Sequence, residues 1–214
     1  MALYTQDYIL LIMNCVKYRP KAMVQKKTWL RMLPPYLIYY HVIGNPELDT
    51  DFLFNEEERI LYVKTQDDYI SLPKKVITAY DAVNKTFQYK YIFKTDDDQR
   101  LSNLRFFDMV VDMIEKLIPT VNYGGSVIEV KQAHISQYYL IHPELPKDLT
   151  ILPIKYCSGR FYLLSKIAVF ELLNHKTEIS KEYLEDYAIG LYLKEEFKDN
   201  VLNIHSDQFL KDLV

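Results

Sequence analysis

The sequence predicts an α/β fold, an open and mostly parallel sheet flanked by helices, on the strength of three observations. Short aromatic and β-branched runs alternate with segments of helical apolar spacing, which is the grammar of βαβ units. One run, Tyr89–Lys94, leads through Thr95 into three consecutive carboxylates, Asp96, Asp97 and Asp98. That puts acids at the strand end where open α/β sheets bind ligands. From about Tyr123 to Pro153 the alternation gives way to a stretch rich in Tyr, Pro, His and Gly, read as loops and short antiparallel strands.

The elements follow in order. Tyr8–Met13 is the first strand, and its apolar run is far shorter than the roughly 20 residues a bilayer requires. A helix is expected near Lys21–Leu33, strands at Tyr36–Val42 and Ile60–Val63, and a helix near Leu72–Val83. After Tyr89–Lys94, the residues Leu104, Phe107, Val110, Val111, Ile114 and Leu117 recur at helical spacing, so the acids are expected between a strand and a helix. Regularity returns with a strand at Phe161–Leu164, helices at Lys166–Asn174 and Leu184–Phe197, and a last strand at Val201–Ile204. No repeat or linker interrupts the chain, so one domain over 1–214 is expected.

Composition narrows the function. Of 214 residues, 49% are hydrophobic and 14% aromatic, enough for a packed core and against disorder. A net charge of −3 with no long basic run provides no footprint for nucleic acid. Two cysteines, Cys15 and Cys157, argue against a disulfide scaffold and suit a reducing compartment. No signal peptide or transmembrane segment is read, so a cytoplasmic or otherwise soluble protein is expected. The sequon at Asn84 is read as a chance match.

Three adjacent carboxylates repel one another, and a divalent cation is a natural reason to gather them; a solvated turn or a helix cap is the ordinary alternative. A cation there would attract phosphate.

Further along stand Tyr156, Ser158 and Gly159 leading into Phe161–Ser165, and then Leu184, Glu185, Asp186 and Gly190. With Lys94 and the acids, these segments resemble, in order and rough spacing, the Lys-x-Asp-Asp-Asp, Tyr-x-Ser-Gly-x-x-Tyr-x-x-Ser and Glu-Asp-Val-x-x-Gly motifs of the β1,3-galactosyltransferase and Fringe-like family of inverting glycosyltransferases. Upstream, Lys26, Lys27, Thr28 and Trp29 resemble its Arg-x-Thr-Trp segment, and Asp67 to Lys75 its Asp-Ser-Tyr-x-Asn-Leu-x-x-Lys segment. The resemblance spans roughly residues 8–205.

The resemblance implies a GT-A type fold with a Rossmann-like sheet and a small, loop-rich C-terminal part. About residues 1–100 would bind the nucleotide-sugar and about 101–214 the acceptor. It implies a UDP-sugar donor, a glycan or glycoprotein acceptor and Mn²⁺, with Mg²⁺ second. Asp98 and His205 would hold the metal. Asp96, Asp97, Lys75, Lys26, Ser158 and Gly159 would bind the donor, and Asp186 would be the base. Lysine in place of arginine at the first-helix motif loosens any bidentate phosphate contact. Family members usually carry a membrane anchor; this chain is read as the soluble case rather than a truncated Golgi enzyme.

Each residue also has a plainer reading. His205 could be a surface histidine, Asp186 and Glu185 could complement a helix dipole, and Gly159 could serve a turn. Trp29 reads as helix core and Cys157 as a buried small hydrophobe. Two alternatives to the enzyme remain. One is a non-catalytic glycan- or nucleotide-binding relative. The other is a phosphohydrolase, disfavoured because Gln99 and Arg100 follow Asp98 where an Asp-x-Asp-x-Thr/Val motif is needed. The donated sugar is not legible; Arg160 and the region Tyr123–Leu149 are where it would be decided.

Overall fold

The computed structural model describes residues 3–117 and 120–213. In chain order its strands and α-helices are β1 Tyr4–Thr5, β2 Tyr8–Met13, α1 Arg19–Lys27, β3 Leu37–Gly44, β4 Phe52–Asn55, β5 Ile60–Val63, α2 Leu72–Thr86, β6 Phe87–Gln88, β7 Tyr91–Asp96, β8 Gln99–Leu101, α3 Phe106–Lys116, β9 Tyr123–Glu129, β10 His134–Ile135, β11 Thr150–Ile151, β12 Lys155–Ser165, α4 Lys166–Asn174, α5 Lys176–Ile179, α6 Glu185–Tyr192, α7 Glu195–Asp199, β13 Leu202–Asn203 and β14 Leu210–Asp212.

Eight strands form one sheet in the order β13-β9-β12-β7-β2-β3-β5-β4. Its centre, β7, β2, β3 and β5, is parallel; β12 runs antiparallel to both β7 and β9, and β4 antiparallel to β5. This is the α/β arrangement, an open and mostly parallel sheet flanked by helices, that the sequence predicts. Alternation along β2 feeds two cores. Ile9, Leu11 and Met13 pack with α2, α4 and α6, while Tyr8, Leu10 and Ile12 pack with Trp29 and α3.

Several expectations are corrected. The helix near Lys21–Leu33 ends at Lys27, where Thr28 leaves helical geometry and bonds back to Val24 and Gln25, and a separate 3₁₀ turn follows at Leu30–Met32. The stretch read as loops and short antiparallel strands opens with a longer one, Tyr123–Glu129, which joins the main sheet antiparallel to β12. The helix over Leu184–Phe197 is two, broken where Leu193 turns extended. The acids lie in a tight turn between β7 and β8, ahead of the helix, and β8 is paired by the C-terminal β14. None of the described helices is long and apolar enough to cross a membrane.

Candidate active site

The carboxyl ends of the central parallel strands open into a cleft of about 720 Å³. Met13, Asn14 and Cys15 at the end of β2, the Asp67–Tyr69 loop before α2, Asp96–Asp98 after β7, Gly159 on β12 and Glu185–Asp186 at the start of α6 all line it. A flap formed by residues 134–151 contributes Tyr138, Ile141, His142 and Glu144. The His142 ring stacks on Tyr69 with centroids 3.6 Å apart, joining the flap to the loop before α2.

Of the residues singled out in the sequence, Asp96, Asp97, Asp98, Lys75, Gly159 and Asp186 meet in this cleft; Lys26, Ser158 and His205 are not among its lining residues. The placement of Lys26 follows from helix geometry. Lys21 and Gln25 lie one turn apart on the α1 face toward the acids, where Lys21 pairs with Asp97 at 3.3 Å and the Gln25 amide donates to the Gln99 carbonyl at 2.7 Å. Lys26, one position on, turns toward β3 and β5, donates to the Glu58 carbonyl and lines a small crevice with His41. The Ser158 hydroxyl accepts from the Arg160 amide at 3.4 Å. His205 is exposed, just before the C-terminal turn. Arg160 also leaves the pocket: it donates to the Leu210 carbonyl and pairs with Asp207 and Asp212.

Lys75 is buried and committed. Its ammonium donates to the Asn14 carbonyl at 2.9 Å and to Asp67 at 2.6 Å. Asp67 in turn accepts from the Gly44 and Val16 amides, each at 2.7 Å, so one ion pair ties the ends of β2 and β3 to α2. The Asn14 side-chain nitrogen, buried beside this knot, has no hydrogen-bond partner among the described residues.

The acid turn is unevenly neutralised. Asp96 accepts from Lys94 at 2.7 Å and Asp97 pairs with Lys21, whereas Asp98 takes the Gln99 amide at 2.6 Å and has no cationic partner among the described residues. Burial pushes Asp97 up to about 6, against the pull of Lys21. Burial raises Asp96 too, but its side chain keeps 35% of its surface exposed, so water screens much of that shift.

Behind the turn Lys94 and Glu185, named in the sequence only as motif members, form a buried network that the sequence did not reveal. Lys94, 1% exposed, donates to the Gly159 carbonyl and to Asp96, each at 2.7 Å, and pairs with Glu185 at 3.0 Å. The other Glu185 oxygen accepts from Tyr162, whose hydroxyl meets that of Tyr80 at 2.6 Å. Burial pushes Glu185 up to about 7 despite Lys94. Burial also pulls on Lys94, yet Asp96 and Glu185 together hold its pKa above the ordinary lysine value. The two directions are compatible: two carboxylates face one ammonium, so the lysine stays charged and the buried glutamate retains a proton longest. A signal was present, because Lys94 occupies a mid-strand position between Phe93 and Thr95 in a fully buried run.

Asp186 is held from two sides. One oxygen accepts from the Gly159 amide at 2.9 Å and the other from the Tyr187 amide at 2.8 Å, using two of about four lone-pair sites. The Gly159 peptide lies free to do this because the pairing of β12 with β9 slips between Cys157 and Tyr162. Trp29 and Cys157 are core, as read: Trp29 stacks on Phe107 and donates to the Gln99 carbonyl, and burial pushes the Cys157 thiol up to about 12.

The profile of the galactosyltransferase family matches residues 21–198. Among solved structures, a glycosyltransferase involved in the glycosylation of the major capsid of PBCV-1 is similar at 10% identity, covering 94% of this chain and 83% of its own, with a TM-score of 0.49. The galactosyltransferase LgtC, in complex with donor and acceptor sugar analogues, is similar at 13% identity, covering 92% of this chain and 73% of its own, with a TM-score of 0.48. No curated protein matches the sequence.

Proposed function

This chain belongs to the galactosyltransferase family, and from that premise we propose that it moves a hexose or related sugar from a UDP-sugar to a glycan hydroxyl with inversion, forming a β-linkage. The observation that carries the reading is the meeting, in one cleft, of the acid turn after β7 with Asp186 at the start of α6. The first suits a diphosphate held through a cation, and the second suits a base for the incoming hydroxyl. In the proposed step Asp186 takes the acceptor hydroxyl proton as that oxygen attacks the sugar C1. The C1–O bond to the diphosphate breaks on the opposite face, and UDP leaves with the electron pair.

The chemistry of the donor set supports a cation. Carboxylates lining the cleft (Asp67, Asp68, Asp96, Asp97, Asp98, Glu144, Glu185 and Asp186) outnumber its lysines (Lys17, Lys21, Lys75 and Lys94), so a bare diphosphate would be repelled. Asp98, the acid without a cationic partner among the described residues, is the proposed ligand. Among the described residues no three His, Cys, Asp or Glu side chains gather into a metal-holding group, so phosphate oxygens would complete the shell. His205, exposed and not among the cleft-lining residues, is carried as a second proposed ligand on the family resemblance alone; the tail it begins is tied to Asp98, whose carbonyl accepts from the Leu213 amide at 2.5 Å. A Mn²⁺ or Mg²⁺ ion there would stabilise the charge gathering on the departing diphosphate.

The test is UDP release from a panel of UDP-sugars with Mn²⁺ present. Slow hydrolysis of one donor, accelerated by a glycan acceptor, supports the proposal and identifies the sugar. UDP binding with no turnover of any donor would favour the alternative, a non-catalytic relative that binds nucleotide or glycan.

A further inference from the structure

Three chain segments must hold a fixed relation for the proposed transfer: the end of β7 with Asp96, the slipped region of β12 with Gly159, and the start of α6 with Glu185 and Asp186. One ammonium touches all three. Lys94 spends its three protons on the Gly159 carbonyl, Asp96 and Glu185. The Gly159 peptide then passes the constraint on, since its carbonyl rests on Lys94 while its amide donates to Asp186. A side chain at residue 159 would crowd this junction, because an added Cβ would lie 3.3 Å from the Lys94 ammonium and 3.4 Å from the Asp186 carboxylate.

Resting on the glycosyl-transfer reading above, we propose that Lys94 is a positioning residue: through the Gly159 peptide it sets the Asp186 carboxylate relative to the donor-side acids. Stability alone does not account for it. A buried ion pair returns little or no net stability compared with well-packed apolar groups of similar size, and Lys94 stands where the strand pattern calls for an apolar residue. Placement does account for it, since a misplacement of about 1 Å costs a reaction on the order of 10²-fold.

The competing explanation is that Lys94 merely balances the buried charge of Glu185. Three variants separate the two: Lys94→Met, Glu185→Gln, and the double variant, which leaves a neutral pair of nearly the original shape. Amide hydrogen exchange at Gly159, UDP affinity with Mn²⁺, melting temperature and transfer are read on each. Positioning requires that the double variant recover the melting temperature lost in Lys94→Met while Gly159 exchange stays fast. Its kcat should remain reduced by about 10²-fold, with UDP affinity within a few-fold of wild type. Glu185→Gln, which keeps the lysine on Gly159, should retain most of the transfer and the slow exchange.

Recovery of transfer in the double variant would overturn the proposal, as would a loss in Glu185→Gln equal to that in Lys94→Met. Unchanged Gly159 exchange in Lys94→Met or in the double variant also overturns it. Exchange is read without substrate. A wild-type protein that transfers no sugar would therefore refute the transferase reading, while the exchange data still decide whether Lys94 holds the Gly159 peptide.

Discussion

At the scale of single residues, the two acids at the start of α6 differ in surroundings. Asp186 faces the cleft between two backbone amides, whereas Glu185 points back into a buried network. As the proposed base, Asp186 replaced by Asn should keep UDP affinity while transfer falls by roughly 10²–10⁴-fold. If it only complements the helix dipole as a first-turn acid, the same variant should lose about 0.3–1 kcal/mol of stability with turnover nearly intact, so calorimetry, melting and turnover on one sample decide between them. For the cation, Asp98→Ala should abolish the strengthening of UDP binding by Mn²⁺, and His205→Ala should weaken it. Equal affinity with and without Mn²⁺ in the wild type would remove the metal from the proposal. Glu185 makes a pH prediction. The folded state holds its proton up to about 7 against an ordinary value of 4.5, so its contribution to stability is full below that ordinary value and fades as pH rises toward 7. A melting series from pH 5 to 8 should show a smaller loss for Glu185→Gln than for the wild type.

At the scale of elements, α6 sits against β12 through Gly190, where an added Cβ would overlap the Tyr156 Cβ and come within 3.2 Å of its Cα. Gly190→Ala should push the helix off the sheet, costing about 1–3 kcal/mol and reducing transfer because the helix carries Asp186; a denaturation midpoint equal to wild type would show that the contact yields. The elements most legible in the sequence were those with one uninterrupted period. Tyr8–Met13, Ile60–Val63 and Lys166–Asn174 were placed to the residue, and α2 and α3 within a few residues. Elements set by tertiary contact were not legible. Gly124 and Gly125 hide β9, because a glycine pair weakens a strand pattern while here it lets β12 and β13 approach closely. The break between α6 and α7 has no Pro or Gly to announce it. In the candidate site, the convergence of the acids with the Glu185–Asp186 pair in one cleft was legible from the motifs. Direction was not: Lys26 bears the right charge on the wrong face of α1, and the cleft-lining flap residues Tyr138, Ile141 and His142 belong to a stretch without period.

At the scale of the molecule, the chain folds back so that its last segment braces the acids contributed by its middle. β14 pairs with β8 immediately after the acid turn, with Asp212 opposite Gln99 and Leu210 opposite Leu101. Arg160, beside the slipped region of β12, joins the two by donating to the Gln99 side chain at 3.0 Å and the Leu210 carbonyl at 3.2 Å and by pairing with Asp212 at 2.9 Å. The proposed metal ligand Asp98 is thus held from below by the tail, and the strand that carries Gly159 also carries the residue that fastens that tail. Exposed ion pairs contribute little to global stability, so the consequence of removing this one should be local. Arg160→Ala should leave the cooperative melting transition within a few degrees of wild type and speed amide exchange at Leu213. Mn²⁺-dependent UDP affinity should fall by about tenfold, equivalent to about 1.4 kcal/mol. Transfer at saturating donor should change much less, because Asp186 is held by Gly159 and Tyr187 rather than by the tail. Unchanged UDP affinity together with fast Leu213 exchange would show that the tail can loosen without disturbing the acid turn, and would confine Arg160 to anchoring the C-terminus.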